Sequence, residues 1–278
     1  MNVEILLVPY DSGRRGERMG AGPEALGVAV FNRLQQGGHD VRCRTIELSS
    51  DRLFGEIQAA FEIDRLVCDA VRGARELNRF PLVLAGNCGT SLGVVAALGP
   101  GTRLIWADAH GDFNTPDTSI SGFLDGMSLA TITGRCWTPA SQRISGFVPV
   151  KNSDVFLIGA RDFDPLEEQA LAASGVCRIS AAEFDPAAAV EHVSSDAPRG
   201  CVHFHLDLDV LDPSVGRANS FAVPGGLSAA QLTEFCALLA KTRMPDSLTM
   251  SAYDPKADVD GKVGGVAVEV AYALLSNS

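Results

Sequence analysis

The sequence predicts an α/β fold: a mainly parallel sheet with helices on both faces. Three observations lead there. Apolar runs of strand length alternate with longer segments of helical spacing from end to end, the pattern that joins parallel strands through helical crossovers. The runs Pro81 to Ala85 and Arg103 to Ala107 are almost continuously apolar, as strands covered on both faces must be. Two acidic motifs, Asp108-Ala109-His110-Gly111-Asp112 and Asp207-Leu208-Asp209, each close an apolar strand, and open parallel sheets carry their sites at the carboxyl ends of strands.

Taken in order, Val3 to Val8 is the first strand, followed by a glycine-rich, charged loop from Asp11 to Gly22. Pro23 then opens a helix to about Gln35, because a proline in the first turn gives up no hydrogen bond. Val41 to Ile46 is a strand. Apolar residues at Leu53, Ile57, Phe61, Leu66 and Val67 give one long or two shorter amphipathic helices across Asp51 to Leu77. The strand Pro81 to Ala85 runs into Gly86-Asn87-Cys88-Gly89-Thr90-Ser91-Leu92-Gly93 and a helix, a loose glycine pattern that is weak support for a phosphate cradle. The strand Arg103 to Ala107, helix Leu124 to Thr133, strands Asp154 to Gly159 and Val176 to Ile179, and helix Ala181 to His192 follow. The strand Cys201 to Asp209, helix Ser228 to Lys241, strand Leu248 to Tyr253 and helix Gly264 to Leu275 complete the alternation.

A chain of 278 residues, 46% apolar and without a linker-like stretch, is expected to form one domain over residues 1–278. A net charge of −11 argues against nucleic acid or an anionic membrane as partner. The lack of a long apolar segment or basic leader, together with seven cysteines without close pairs, leads us to expect a cytoplasmic protein with reduced thiols. Trp106 and Trp137 read as packing residues, and His39 as a turn residue.

In an extended strand His203, His205, Asp207 and Asp209 share one face, with Val202, Phe204, Leu206 and Leu208 on the other. Several anions buried together need a compensating cation, and no basic cluster adjoins either motif. A metal pair supplies it. Carboxylates with one imidazole favour Mn(II) ahead of Fe(II), Co(II) or Zn(II). His205 lies about 7 Å below Asp207 along the strand and reads as a support beneath the metals, with His203 a core histidine.

Asp-Ala-His-x-Asp-x-Asn-Thr-Pro from Asp108, followed by Thr118, Ser121-Gly122 and Gly126-Met127, together with Asp207-Leu208-Asp209-x-Leu-Asp-Pro, resembles the two metal motifs of the arginase (ureohydrolase) family. The resemblance implies the three-layer αβα sandwich of the arginase/deacetylase fold and two Mn(II) ions. Carried over residue by residue, it makes Asp108 and Asp207 bridging ligands, His110 and Asp209 ligands of one ion, and Asp112 and Cys88 ligands of the other. Cys88 stands where the family has a histidine; it is either a soft ligand or a space-filler beside a depleted site. The implied reaction is attack of a metal-bridging hydroxide on the carbon of a guanidino or amidino group, releasing a urea-type product, with Asp112 able to hold a proton.

Asn114, Ser121 and Asp164 match family residues that hold the α-carboxylate and α-amino group of an amino-acid substrate. The distal end departs from the pattern. Asp125 replaces the shuttle histidine, Phe221 replaces a small hydroxyl residue, and Ser251-Ala252-Tyr253-Asp254-Pro255 lacks the glutamate that clamps the guanidinium, unless Asp254 or Asp125 takes over that role. Losing that ion pair disfavours L-arginine by about 2–4 kcal/mol. The Asn87-Cys88 turn, the missing histidine and the strand leading into Asp207 are similar to the hydroxyarginine-hydrolase branch of the family, which implies an Nω-hydroxyguanidino amino acid as substrate. Asp125 and Glu167 are the acidic residues expected to matter beyond the metal ligands. The alternative is a catalytically silent relative that binds an amino-acid-like ligand. Family members are often homo-oligomers, and the partner otherwise expected is a small amino-acid-derived molecule.

Overall fold

The structure, a computed structural model, describes residues 1–49, 55–195 and 200–276. Its centre is an eight-stranded, wholly parallel sheet of β1 (Asn2–Val8), β4 (Asp40–Thr45), β5 (Phe80–Ala85), β6 (Arg103–Ala107), β7 (Val155–Ile158), β8 (Cys177–Ile179), β9 (Val202–Asp207) and β10 (Ser247–Ser251). Across the sheet the order is β4-β1-β5-β10-β9-β6-β7-β8. A small antiparallel pair, β2 (Tyr10–Asp11) and β3 (Arg14–Arg15), stands apart.

Alternation along each strand divides the core into layers. From β9, Val202, Phe204 and Leu206 join residues of α1 (Gly22–Gln36), α7 (Pro186–Ser194), α8 (Ala229–Arg243) and α9 (Lys262–Leu275). On the other face, Leu104 and Trp106 of β6 pack with α3 (Ser91–Leu98), α4 (Ser128–Ile132) and α6 (Pro165–Ala172), and Leu6 and Val8 of β1 pack with α2 (Glu56–Glu76). The molecule is therefore a three-layer αβα sandwich. His203 and His205 lie on the second face, opposite Phe204 as the alternation requires.

Departures from the sequence reading lie at element ends. Glu56–Glu76 is one helix, and the expected start near Asp51, with Leu53, lies outside the described residues. The segment expected as helix from Leu124 is a 3-10 turn, Asp125–Met127, followed by α4. The seventh helix begins at Pro186, where the Asp185 side chain accepts from the Ala188 amide, rather than at Ala181. Helix α6 is not among the elements expected from the sequence; Asp164, expected to hold the substrate's head group, opens it in a capping box with Glu167. Strand β9 stops at Asp207, whose Oδ1 accepts from the Asp209 amide at 2.8 Å and turns the chain into a 3-10 turn. Asp209 reaches the site from that turn and not from the strand.

Candidate metal centre

Strands β5, β10, β9 and β6 are neighbours, so the turns after them meet over the middle of the sheet. Cys88 follows β5, Asp108 to Asp112 follow β6, Asp207 and Asp209 close β9, and Ala252 follows β10. Of these, Cys88, His110, Asp112, Asp207, Asp209 and Ala252 line a cavity of about 360 Å³. Asn114, Ser121, Asp164, Phe123, Asp125 and Phe221 also line it. The rings of Phe123 and Phe221 stack on each other with centroids 5.6 Å apart. Asp254 is not among the lining residues.

Gly86 in the turn after β5 and Gly93 in α3 serve close approach of backbones. A Cβ on Gly86 would lie 2.1 Å from the Tyr10 carbonyl oxygen, and one on Gly93 2.2 Å from that of Asp64.

Asp108, Asp112, Asp207 and Asp209 are all buried. Asp108 Oδ1 accepts from the His110 amide at 2.8 Å, and its Oδ2 accepts from Trp106 Nε1 at 3.1 Å. Asp209 Oδ1 accepts from the Ala109 amide and Oδ2 from Asn219 Nδ2. Cys88 Sγ lies 3.0 Å from Asp207 Oδ2 and 3.2 Å from Ser251 Oγ. Asp112 takes up a left-handed backbone (φ +50°), and its Oδ2 is buried with no hydrogen-bond partner. Glu167 holds that loop by accepting from the Phe113 amide at 2.8 Å.

The electrostatics are those of an anion cluster in want of a cation. Burial, then the neighbouring carboxylates, raise Asp112 and Asp207 well above the usual carboxylate range. Burial alone would lower His110, but Asp209 and Asp108 outweigh it and push the imidazole up to about 10. Burial also raises the Cys88 thiol, and the surrounding aspartates raise it further. Two groups of potential ligand atoms lie within 4.8 Å of one another among the described residues: Asp108, His110 and Asp209, and Cys88, Asp108 and His205. They share Asp108. An orphaned carboxylate oxygen and two donor groups sharing one aspartate suit a pair of divalent cations.

Asp125 faces the cavity's edge, with its carboxylate committed beneath the Cys88 turn. It accepts from Asn87 Nδ2 at 2.8 Å and the Gly89 amide at 2.9 Å, and burial pushes it up to about 6. Asp164 Oδ2 accepts from Asn114 Nδ2 and from the Ile120 amide, which ties two of the expected head-group residues together. Ser121 is exposed at the rim and accepts from the Phe123 amide.

Several supports were not read from the sequence. Arg161 threads its guanidinium among backbone carbonyls, including those of Asp209 at 3.1 Å and Val223 at 2.8 Å, and so fixes the loop carrying Asn219 and Phe221. Only an arginine in an Ala-Arg-Asp-Phe-Asp segment at a strand end hinted at it. Trp106, read as packing, holds Asp108 and stacks on His205 with centroids 3.6 Å apart.

The Arginase family model matches residues 1–276. The arginase of Brevibacillus brevis is 32% identical over 99% of this chain and 97% of its own length. That of Bacillus caldovelox is 29% identical over 98% and 97%. Among solved structures, the arginase from Bacillus subtilis superposes with a TM-score of 0.90 at 28% identity, covering 99% of this chain and 98% of its own.

Proposed function

Because this chain belongs to the arginase family, we propose that it hydrolyses the C–N bond of a guanidino or amidino amino acid, and specifically of an Nω-hydroxyguanidino one. The observation that carries the reading is a cavity in which the buried aspartates meet Phe123, Phe221 and Ala252, with no carboxylate at position 252. Asp108, His110 and Asp209 would hold one divalent ion, and Cys88, Asp112 and Asp207 border the place for a second that shares Asp108. We take both ions to be Mn(II). Bound there, they supply Lewis-acid activation of water near neutral pH.

Residues of the chain supply the rest. Asn114, Ser121 and Asp164 hold the α-carboxylate and α-amino group, which sets the guanidino carbon over the floor. Asp112, which lines the cavity and has one carboxylate oxygen without a hydrogen-bond partner, takes up and returns a proton. Asp125 keeps the Cys88 turn in place through Asn87 and Gly89 and stands nearest the distal nitrogen. Without a carboxylate at position 252, a fully charged guanidinium goes unpaired in a desolvated pocket. N-hydroxylation lowers the basicity of that group and with it the loss. Residues 1–278 act as one catalytic domain, in the cytoplasm and as a homo-oligomer. No helix among the described residues is long and apolar enough to cross a membrane.

The test is turnover of Mn(II)-reconstituted protein on Nω-hydroxy-L-arginine, L-arginine and agmatine, with products identified by mass spectrometry. We expect ornithine and hydroxyurea from the first, with kcat/KM at least about 10-fold above that for L-arginine. Preference for L-arginine would overturn the substrate assignment. No turnover of any guanidine would favour the silent relative, a reading that the thiol at position 88 supports.

A further inference from the structure

His203 and His205 sit two residues apart on β9, both fully buried on one face, yet their surroundings differ. His203 is satisfied at both nitrogens, Nδ1 lying 2.8 Å from Ser247 Oγ and Nε2 3.1 Å from Ser91 Oγ. His205 is satisfied at one. Its Nδ1 lies 2.8 Å from Ser91 Oγ, whereas Nε2 has only Ser251 Oγ at 3.4 Å, long for such a bond.

Proton placement follows from the chain of partners. With the His203 proton on Nδ1, toward Ser247, its Nε2 accepts from the Ser91 hydroxyl. Ser91 has then used its one proton and accepts from His205 Nδ1–H. That leaves the His205 Nε2 lone pair facing Cys88 and Asp108, with which it forms the second group of potential ligand atoms. A ligating histidine ordinarily has its other nitrogen held in this way. Trp106 fixes the ring plane by stacking at 3.6 Å and 19° while its indole N–H holds Asp108. Two metal bonds to nitrogen, oxygen or sulfur span up to about 4.4 Å, so a group within 4.8 Å closes on one ion with shifts of a few tenths of an ångström.

We infer that His205, through Nε2, is a ligand of the second ion together with Cys88 and Asp108. This rests on the metal-dependent reading above and deepens it. A thiolate and an imidazole make this position softer than the one formed by Asp108, His110 and Asp209, so it favours Co(II) or Zn(II) over Mn(II) more strongly than the first position does.

X-ray absorption on the intact chain loaded with two Co(II) tests the assignment. One sulfur and two imidazoles per two ions are expected; one imidazole overturns it, whatever the sulfur count. Titration of His205→Ser with Co(II) is the second measurement. Affinity for the second ion, followed by the sulfur-to-cobalt charge-transfer band, should fall more than about 100-fold while the first ion is retained. A loss of about 10- to 100-fold is what removing a hydrogen-bonding support costs and would overturn ligation. Should His205→Ser not fold, the absorption spectrum of the unaltered protein still decides. Failure here leaves the first ion and the hydrolase reading standing, whereas two properly bound ions without guanidine turnover would sink that reading and spare this one.

Discussion

The Gly89 amide donates to Asp125 Oδ1 at 2.9 Å, a contact between residues 36 apart in sequence. It pins the turn that presents Cys88 to the floor of the cavity, and Asn87 Nδ2 reinforces it on the other carboxylate oxygen. Asp125→Ala removes both acceptors and leaves enclosed donors unpaired, at about 2–4 kcal/mol. We expect a lower melting temperature and second-ion affinity reduced by about 10-fold. Loss of turnover with melting and metal content unchanged would mean instead that Asp125 acts directly on substrate.

The buried acids make stability depend on pH and on metal in a definite direction. Asp112 and Asp207 are raised well above their ordinary value and Asp125 to about 6. Acids raised in the folded state are protonated there at little cost below the ordinary carboxylate pKa, and their contribution is lost as pH rises through the folded values. His110, raised to about 10, contributes fully below 6.5 and loses its contribution as pH rises through 10, the same direction. Metal-free protein should therefore melt at progressively lower temperature from pH 5 to pH 9, and divalent ions should cancel most of the decline. Thermal melts with and without chelator measure it. A flat or rising profile in chelator would contradict the cluster's electrostatics.

The layer order and the strand ends were legible because both depend on short-range pattern. Continuous apolar runs mark buried strands, and Asp108, His110 and Asp207 stand where those runs stop. Most of the supports were not legible, because they are contacts between distant segments. Nothing local at Ser91 or Ser251 announces a partner on β9, and nothing in Arg161 says that it will meet the carbonyls of residues 209 and 223. His205 shows the limit most clearly. Strand spacing put it below the expected metals, but only the pairing of β10 with β9 and of β5 with β10 brought Ser251 and Cys88 to its ring.

Asp164 has two duties that separate on substitution. It caps α6 in a box with Glu167, and it accepts from Asn114 at the cavity wall. Asp164→Ala should cost about 1 kcal/mol of stability through the lost cap. It should raise KM for an amino-acid substrate about 10-fold or more through the lost charged contact, with metal content unchanged by elemental analysis. Metal lost in parallel with KM would mean that the head-group wall is misplaced.

Specificity should turn on position 252. Ala252 lies at the cavity wall in a left-handed conformation (φ +61°), and its carbonyl accepts from Asn219 Nδ2 at 2.8 Å. The same amide donates to Asp209 Oδ2 at 3.1 Å, so the backbone here is tied to the metal floor. Since the strain of a non-glycine residue is already present, Ala252→Glu adds a carboxylate without a new backbone penalty. A guanidinium paired with it regains about 2–4 kcal/mol. The ratio of kcat/KM for L-arginine to that for Nω-hydroxy-L-arginine should then rise by at least about 10-fold. Ala252→Gly is the control: it relieves strain of about 1 kcal/mol and leaves the ratio alone. If both variants lower the two substrates equally, residue 252 does not face the guanidino group, and the missing carboxylate there is not what excludes L-arginine.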